Sequence, residues 1–455
     1  MKPSAEAAEG LRRPSVAQSM LVTVGASAVT LVVTLFTGVL TARLLNPAGR
    51  GEVAAVVGWA TTVALLASLG SKESVTYLQS KEPAHARSLL TTSIVYICLL
   101  GSAGVAVAEL LVPIGFASQR GEVVDLVRVF LLMTVPIMMW EGLIGVLNGH
   151  QLFVAASAAR VGQLTAFAVG LFALWQLDRV HVLSVLLAQA LSHVGTAAVL
   201  IVFLGHRVGF GRFSPALARR MLTDGLKLHM GSLGSIGNAR MDILVMPAIL
   251  APREIGLYAV AVSGASIVVS LFGGLRAVVY PIAARRGADS GMPLVETTLR
   301  FTMTGAFLVG AVLALGAPFL VRLLYGDDFA GAVRSLQILI PGLVLWSGAA
   351  ILGGGMNALG KPLLTSLAQF AGLAVTVVGL LVTLPTLGIV GAALTSTLAY
   401  GTVFGILLVL LSRQPGFSAR RALSPRRFVH DAVRLLAMAN GAARRRRHEH
   451  EHEHE

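Results

Sequence analysis

Residues 45–70 read LNPAGRGEVAAVVGWATTVALLASLG, and residues 250–274 follow the same plan with LAPREIGLYAVAVSGASIVVSLFGG. Both stretches open with Leu-x-Pro-x-x-x-Gly, and their first residues, Leu45 and Leu250, stand 205 positions apart. In each stretch an apolar segment rich in small residues follows the motif. Proline suits the start of a helix and glycine allows two helices to approach closely. Both motifs therefore predict the start of a closely packed helix.

A second pair of matching segments follows in the same order. Residues 148–150 read NGH at a break between apolar runs, and residues 357–361 read NALGK at the corresponding break in the second half. Two matches in one order indicate a duplicated chain. Each half holds six predicted spans, which is an even number, so the halves share one orientation and are related by an axis along the membrane normal.

The apolar runs place the chain in a membrane. Of the 455 residues, 55% are hydrophobic and 13% are charged, against roughly 25% charged in soluble proteins. The runs reach the ~20 residues that cross the hydrocarbon of a bilayer. We therefore predict an all-α integral membrane protein with about twelve transmembrane helices in two pseudo-symmetric lobes of six. The predicted spans are 17–44, 51–79, 87–116, 122–148, 152–176, 182–205, 228–250, 254–284, 295–324, 330–358, 362–385 and 388–412.

A long polar and basic stretch, residues 205–227, separates the two sets of six spans. The C-terminal residues alternate His and Glu too regularly to belong to a fold. We predict, in chain order, a cytoplasmic N-terminal segment at 1–16, an N-lobe at 17–205, a cytoplasmic linker at 206–227, a C-lobe at 228–412, a basic cytoplasmic tail at 413–447, and a tag or low-complexity tail at 448–455.

The positive charge indicates orientation rather than a nucleic-acid partner. The net charge is +14, but the cations lie in short loops and tails, without the interleaved aromatic residues of a nucleic-acid surface. Fifteen Lys and Arg residues fall on the side of the N-terminus and seven on the other, before the tail is counted. Because cytoplasmic loops carry the excess of Lys and Arg, we predict a multi-pass membrane protein with both termini cytoplasmic.

Motifs for enzymes and ATP-driven pumps do not occur in the sequence. It has no G-x-x-x-x-G-K-[ST], no Ser-His-Asp constellation and no CxxC, and its one H-E-x-x-H lies in the alternating tail. The single cysteine, Cys98, lies in an apolar run and is predicted to be buried. We predict no enzyme activity, cofactor or metal site. Two lobes with short loops are the layout of a secondary transporter, whose substrate binds near the midplane between the lobes.

Several short motifs in order resemble the polysaccharide transporter (Wzx-type) family of the MOP superfamily, which also holds the multidrug (MATE) exporters and the lipid II flippases. Twelve predicted spans favour the polysaccharide branch, since lipid II flippases typically have fourteen. Besides Leu-x-Pro-x-x-x-Gly, the motifs are Asn238-Ala239-Arg240-Met241-Asp242, Gly256-Leu257-Tyr258, Leu324-Tyr325-Gly326, Asn357-Ala358-Leu359-Gly360-Lys361 and Gly388-Ile389-Val390-Gly391-Ala392-Ala393.

The resemblance implies a flippase that moves an undecaprenyl-pyrophosphate-linked oligosaccharide from the inner to the outer leaflet of a bacterial membrane, by alternating access. It implies as partners the lipid-linked oligosaccharide, membrane lipids, H⁺ or Na⁺, and other polysaccharide-assembly proteins, with no nucleic acid. Such a cargo needs cations for its pyrophosphate, and the planar guanidinium of arginine binds phosphate through two donors at once. Its sugars need a polar lining.

Four cations within predicted spans are candidates for binding the pyrophosphate: Lys72, Arg160, Arg240 and Arg276. Because an arginine at the bilayer centre costs about 2.5–3.5 kcal/mol, each must face a partner or a watery cavity. The repeat brings Lys72 within one position of Arg276, which suggests one cation on the second helix of each lobe. Structural alternatives stay open, since Arg240 can bond a neighbouring helix and Lys72 can reach the membrane interface beside Glu73.

Two carboxylates and two amides complete the candidate site. Glu141 and Asp242 lie deep in apolar stretches, where a carboxyl group exposed to each side in turn can couple transport to an ion gradient, or can simply hold helices together. Asn238 and Asn357 are candidates for lining a sugar path, or for bonding helix to helix. The alternative function is a MATE-like cation or drug antiporter, which needs an acidic cavity. Deep cations outnumber deep anions here.

Overall fold

The structure is a computed structural model that describes residues 16–272, 274–424 and 430. The described residues form α-helices and two single 3-10 turns, with no β-strand among them. The helices are α1 (Val16–Ala67), α2 (Ser71–Lys81), α3 (Ala86–Gly115), α4 (Gly121–Leu131), α5 (Thr134–Gly149), α6 (Phe153–Gln176), α7 (Val182–Arg207), α8 (Pro215–Ile249), α9 (Pro252–Phe272), α10 (Leu275–Tyr325), α11 (Ala332–Ala358), α12 (Pro362–Ser412) and α13 (Ala419–Ala422).

The helices confirm the predicted fold class of about twelve spans in two pseudo-symmetric lobes. Nine helical segments of the described chain are long and apolar enough to cross a membrane. Two of the nine hold two spans each, because α1 and α12 change direction at Asn46 and Gly388. Helix α8 is a further span in the repeat, although it is more polar. The chain is a multi-pass membrane protein.

The break in α1 follows from the first Leu-x-Pro-x-x-x-Gly motif. Asn46 has a positive φ of 57°, a conformation that asparagine tolerates better than most residues. Its Oδ1 accepts hydrogen bonds from the backbone N–H of Ala48 at 3.1 Å and of Gly49 at 3.3 Å, as a helix N-cap does. Pro47 then starts the new helix, where its missing N–H costs nothing. We call this end of the bundle the Asn46 end.

The second helix of each lobe is interrupted at related positions. In the first half the break falls at Leu69 and Gly70, both with positive φ, and α2 continues beyond it. In the second half α9 ends at Phe272 and α10 begins at Leu275. The prediction that residues 51–79 and 254–284 each form one continuous span was therefore wrong, because hydrophobic composition alone does not reveal a break. We call the end of the bundle at which Gly70 lies the Gly70 end.

Other boundaries also differ from the prediction. The predicted span 122–148 consists of α4 and α5, which are separated by a turn at residues 132–133. Conversely, α10 runs through the predicted loop at 285–294, and α8 begins within the predicted linker, at Pro215. Ser214 caps α8 by accepting the Leu217 N–H. Polar residues at both places are compatible with helices that extend beyond the apolar layer.

The bundle is apolar on the outside as well as inside. Leu110 and Leu315 are 77% and 83% exposed, as expected of side chains that face lipid instead of water. Cys98 is exposed as well, so its predicted burial was wrong, and it lies on the apolar surface of α3. The described chain begins and ends at the Gly70 end. The segments 1–15 and 448–455, and most of the basic tail, lie outside the described residues.

Candidate functional site

The two lobes meet along a seam that is closed at the Asn46 end by the two repeated motifs. A Cβ added to Gly51 would lie 1.7 Å from the carbonyl oxygen of Pro252, and one added to Gly256 would lie 1.9 Å from that of Pro47. Each motif's glycine thus packs on the other motif's proline. This reciprocal contact, which we call the glycine crossing, is what an approximate two-fold axis between the lobes requires.

Side chains of the N-lobe also bind helix ends of the C-lobe at the Asn46 end. The hydroxyl of Ser118 and the amide of Gln119 donate to the carbonyl of Pro247, each at 2.9 Å, and Gln119 also donates to Leu250 at 2.7 Å. Arg43 donates to the carbonyl of Leu324 at 2.6 Å. These acceptors are carbonyls at helix C-termini, which have no partner within the helix. The seam at this end is therefore closed by hydrogen bonds as well as packing.

At the Gly70 end the seam between α2 and α8 is closed by a second pair of glycines. A Cβ on Gly70 would lie 2.4 Å from the carbonyl oxygen of Gly225, and one on Gly225 would lie 2.5 Å from that of Leu69. Nearby, Arg220 donates to Glu82 at 3.0 Å. This hydrogen bond from Arg220 holds the pKa of the Glu82 carboxyl below its ordinary value.

The other seam, between α1 and the α9–α10 region, lacks this closure at the Gly70 end. In the repeat, Gly225 corresponds to Met20 and Gly70 corresponds to Leu275. Neither Met20 nor Leu275 permits a close backbone crossing, because each has a large side chain. Gly25 of α1 and Gly274 before α10 have no atom within 4 Å of an added Cβ. Leu271, at the end of α9, is 53% exposed. Among the described residues, this end of the seam therefore shows no close backbone contact like the one between Gly70 and Gly225.

Two predicted site residues of the N-lobe form an ion pair. The Nζ atom of Lys72 lies 2.6 Å from Oε2 of Glu141, which joins α2 to α5. Beside Glu141, the ring of Trp140 meets that of His193 edge to face at 6.0 Å. Gln163 in turn donates to Ser192 at 3.0 Å.

These residues form an N-lobe polar cluster on four helices, α2, α5, α6 and α7. No pattern in the sequence indicates that Trp140, Gln163 and Ser192 belong to it. Arg160 lies on the same face of α6 as the buried Ala156 and Gln163, by the helical spacing of three to four residues. It therefore points towards the lobe interior, and it has no ion-pair partner among the described residues.

The C-lobe holds a second polar cluster, which is buried and mostly uncharged. Asn238 is 2% exposed, and its Nδ2 donates to the carbonyl of Gln369 at 2.8 Å while its Oδ1 accepts from Thr376 at 2.9 Å. One turn further along α8, Asp242 accepts from the hydroxyl of Tyr258 at 2.8 Å. The spacing of Asn238 and Asp242 predicts a shared helix face, but their partners are distant in sequence.

The remaining predicted residues lie apart from these clusters. Arg240 is exposed, has no ion-pair partner among the described residues, and stands one turn from Ile243, on which Gly58 of the N-lobe packs. Asn357 lies in the turn between α11 and α12, where its Oδ1 accepts from Thr365 at 3.0 Å. The side chain of Arg276 lies outside the described residues. None of these contacts tests a role in binding, so the proposed roles stay predictions.

The fold and the seam define a two-lobed membrane protein of the MOP type, with a polar cluster in each lobe. The chain belongs to the family described as polysaccharide biosynthesis protein, which it matches over residues 16–286. No protein of curated function matches the sequence.

Solved structures with the same fold are distant in sequence. The lipid II flippase MurJ, in an inward closed conformation, is similar with a TM-score of 0.73 and 16% identity over 93% of both chains. An inward-facing multidrug resistance MATE family transporter of the MOP superfamily has a TM-score of 0.66 and 17% identity over 92% of this chain and 99% of its own. An outward-facing multidrug resistance MATE family transporter has a TM-score of 0.58 and 17% identity over 88% of this chain and 97% of its own.

Proposed function

We propose that this protein is a flippase that carries an undecaprenyl-pyrophosphate-linked oligosaccharide from the cytoplasmic to the outer leaflet of a bacterial membrane. The observation that carries the proposal is the lack, among the described residues, of a close glycine contact between α1 and the α9–α10 region at the Gly70 end, where Gly25 and Gly274 have no atom within 4 Å of an added Cβ; we infer a gap towards the lipid there. A carrier for a soluble molecule needs no gap towards the lipid. A carrier for a headgroup attached to a long prenyl tail does, because the tail stays in the membrane while the headgroup moves between the lobes.

The cations near the seam support an anionic headgroup. Arg240 is exposed on the side of α8 that faces the N-lobe and forms no ion pair among the described residues, although its charge acts on Asp242 two positions further along α8. An unpaired guanidinium within a membrane is costly unless it meets water or a ligand. Pyrophosphate is a suitable ligand because guanidinium binds it through two charge-assisted hydrogen bonds. We assign Arg240, Arg276, Arg160 and Lys72 to the pyrophosphate, and Asn238 and Asn357 to the sugar path.

The proposed orientation places the Gly70 end in the cytoplasm. Both ends of the described chain lie there, and that side carries the larger number of Lys and Arg residues in the loops. With this orientation the glycine crossing closes the outer end of the seam. We further propose N- and C-lobes at 17–205 and 228–412 that rock against each other, and an ion that couples transport through Asp242 or Glu141.

Flipping in sealed proteoliposomes tests the function. Fluorescent polyprenyl-pyrophosphate oligosaccharide is loaded, and a membrane-impermeant reagent quenches the label that has reached the outer leaflet. We expect protein-dependent crossing that falls about tenfold or more in Arg240→Ala and in Arg276→Ala, since each loses a charge-assisted contact. Arg128→Ala is the matched control, because Arg128 pairs with Glu109 at 3.8 Å on the surface of the N-lobe.

Two results contradict the proposal, the first its function and the second its assignment of cations. If the lipid never crosses in the parent protein while an organic cation dye is exported down an imposed ion gradient, the chain is an antiporter of the MATE type. If the lipid crosses equally well in the parent and both seam variants, the flippase stands without the assigned cations. Asp242→Asn tests the coupling separately, because it should remove the dependence of flipping on the gradient without removing the binding of cargo.

A further inference from the structure

The Lys72–Glu141 pair is held in place by the packing of α2 on α5. A Cβ on Gly145 would lie 2.8 Å from the carbonyl oxygen of Lys72, so the two backbones are nearly in contact one turn from Glu141. Thr76 Oγ1 donates to the carbonyl of Gly145 at 2.9 Å. These contacts fix the register of the two helices, and the 2.6 Å ion pair follows from that register.

The pair is also accessible. The side chains of Lys72 and Glu141 are 30% and 40% exposed, so a ligand can reach the cation without unfolding the lobe. On its other side, the charge of Glu141 acts on the neighbouring His193 of α7. An anionic headgroup can therefore take the place of the carboxylate on Lys72 while Glu141 remains within the N-lobe polar cluster.

The C-lobe has no counterpart of this carboxylate. The segments 148–150 and 357–361 align Asn148 with Asn357, which is a shift of 209 positions, and this shift carries Glu141 onto Ala350. The cation of the N-lobe is thus held in a 2.6 Å ion pair by the protein itself, whereas Arg240 forms no ion pair among the described residues and its charge acts on Asp242 without direct contact. A difference of this kind between two duplicated halves calls for a role that only one half performs.

We propose that Glu141 stands in for the cargo during the return of the empty carrier. This rests on the flippase proposed above. After the cargo leaves, Lys72 would pass through the closed, water-poor state of the carrier as an uncompensated cation, which is unfavourable within a membrane. Glu141 supplies the missing anion, and the arriving pyrophosphate displaces it again. Glu141 therefore speeds the return of the empty protein and keeps the affinity for cargo low enough for release.

The proposal separates two modes of transport. Net flipping requires the empty carrier to return, whereas exchange of labelled for unlabelled lipid across the membrane requires only the loaded carrier to move. In Glu141→Gln we expect net flipping to fall at least tenfold, exchange to stay within twofold of the parent, and the concentration for half-maximal exchange to fall. The probe is a polyprenyl-diphosphate N-acetylglucosamine with a fluorescent tail, present in one leaflet for net flipping or in both leaflets for exchange.

A double variant distinguishes this role from a structural one. Lys72→Gln/Glu141→Gln removes the cation as well as its counter-ion, so its empty form has no charge to neutralise. We expect it to recover net flipping at least threefold over Glu141→Gln, with weaker binding of cargo. Glu109→Gln, which removes the carboxylate of a surface pair with Arg128, is the control and should match the parent in both modes.

Each possible result decides something. Equal loss of net flipping and exchange in Glu141→Gln, or a double variant no faster than the single one, overturns the role of Glu141 and leaves the flippase intact. Loss of both modes together with loss of the response to an ion gradient assigns Glu141 to ion coupling instead. If the parent protein itself shows neither mode, the flippase falls and this inference falls with it.

Discussion

The glycine crossing at the Asn46 end predicts that a single methyl group will open the seam. In Gly51→Ala the new Cβ would lie 1.7 Å from the Pro252 carbonyl oxygen, and contacts below 3.0 Å are essentially never observed for a Cβ. The obstacle is backbone on both sides, so no side chain can rotate away. The two motifs must separate by at least 1.3 Å, which is the difference between those two distances.

The magnitude follows from the cost of overpacking. Inserting a methyl group into a close-packed contact typically costs about 1–3 kcal/mol, and here the cost applies only while the Asn46 end is closed. The equilibrium should therefore shift towards the state open at this end by about 5- to 150-fold. Gly256→Ala should have the same effect through Pro47. The two substitutions together should shift this equilibrium by less than the product of their separate effects, since the first methyl group already separates the motifs.

Distances between spin labels on the two lobes measure the shift. Arg179→Cys in the N-lobe and Asp328→Cys in the C-lobe place labels on exposed loops at the Asn46 end, in a Cys98→Ser background. We expect Gly51→Ala to enlarge a population with a longer distance. Gly38→Ala is the control, because Gly38 lies on the same helix with no atom within 4 Å of an added Cβ. Identical distance distributions for Gly51→Ala and Gly38→Ala would refute the role of the crossing.

Two further predictions concern the Gly70 end. Burial and the charge of Arg207 lower the pKa of His150 in the folded protein. Because the unfolded state then binds protons more readily, the stability of the protein should decline as the pH falls through the ordinary histidine range. His150→Gln should flatten this pH dependence in thermal unfolding between pH 7.5 and 5.5, and an unchanged slope would contradict the assignment. The buried carboxylate of Glu296 accepts a hydrogen bond from Arg421 at 3.0 Å. Glu296→Ala should therefore release the segment after α12 and speed trypsin cleavage at Arg420. Equal cleavage rates in the variant and the parent would show that Glu296 does not hold the segment.

The architecture could be predicted from sequence because it depends on composition and on the repeat. Runs of apolar residues must form helices in a membrane, where every backbone N–H and C=O needs an internal partner. The repeat then predicts two lobes. It did not predict that Gly51 and Gly256 face each other across the seam, because a glycine only permits close approach and does not name its partner. The break at Gly70 was missed although Ser71, Lys72 and Glu73 follow it, because the span was assigned from its overall length and hydrophobicity.

The site was only partly accessible from sequence. Charged residues in apolar spans were sound candidates, because burial makes each of them costly. Their pairing was not predictable, since Lys72 and Glu141 stand 69 positions apart on different helices. Tyr258 belongs to the Gly256-Leu257-Tyr258 motif, but the sequence indicated no role for it, because an aromatic residue in an apolar span is ordinary and its bond to Asp242 depends on how α9 crosses α8.

Each end of the seam has a close glycine pair, but the polar contacts beside the two pairs differ, and this difference sets the direction of the bias. At the Asn46 end, Arg43, Ser118 and Gln119 donate to helix-end carbonyls of the other lobe, and each such bond contributes about 0.5–1.5 kcal/mol net. At the Gly70 end an exposed ion pair, Glu82 with Arg220, is screened by solvent and contributes little. The empty protein should therefore rest closed at the Asn46 end. Cargo that bridges cations of both lobes is then needed to offset the bonds that opening this end breaks, and a headgroup that contacts one lobe only cannot do so.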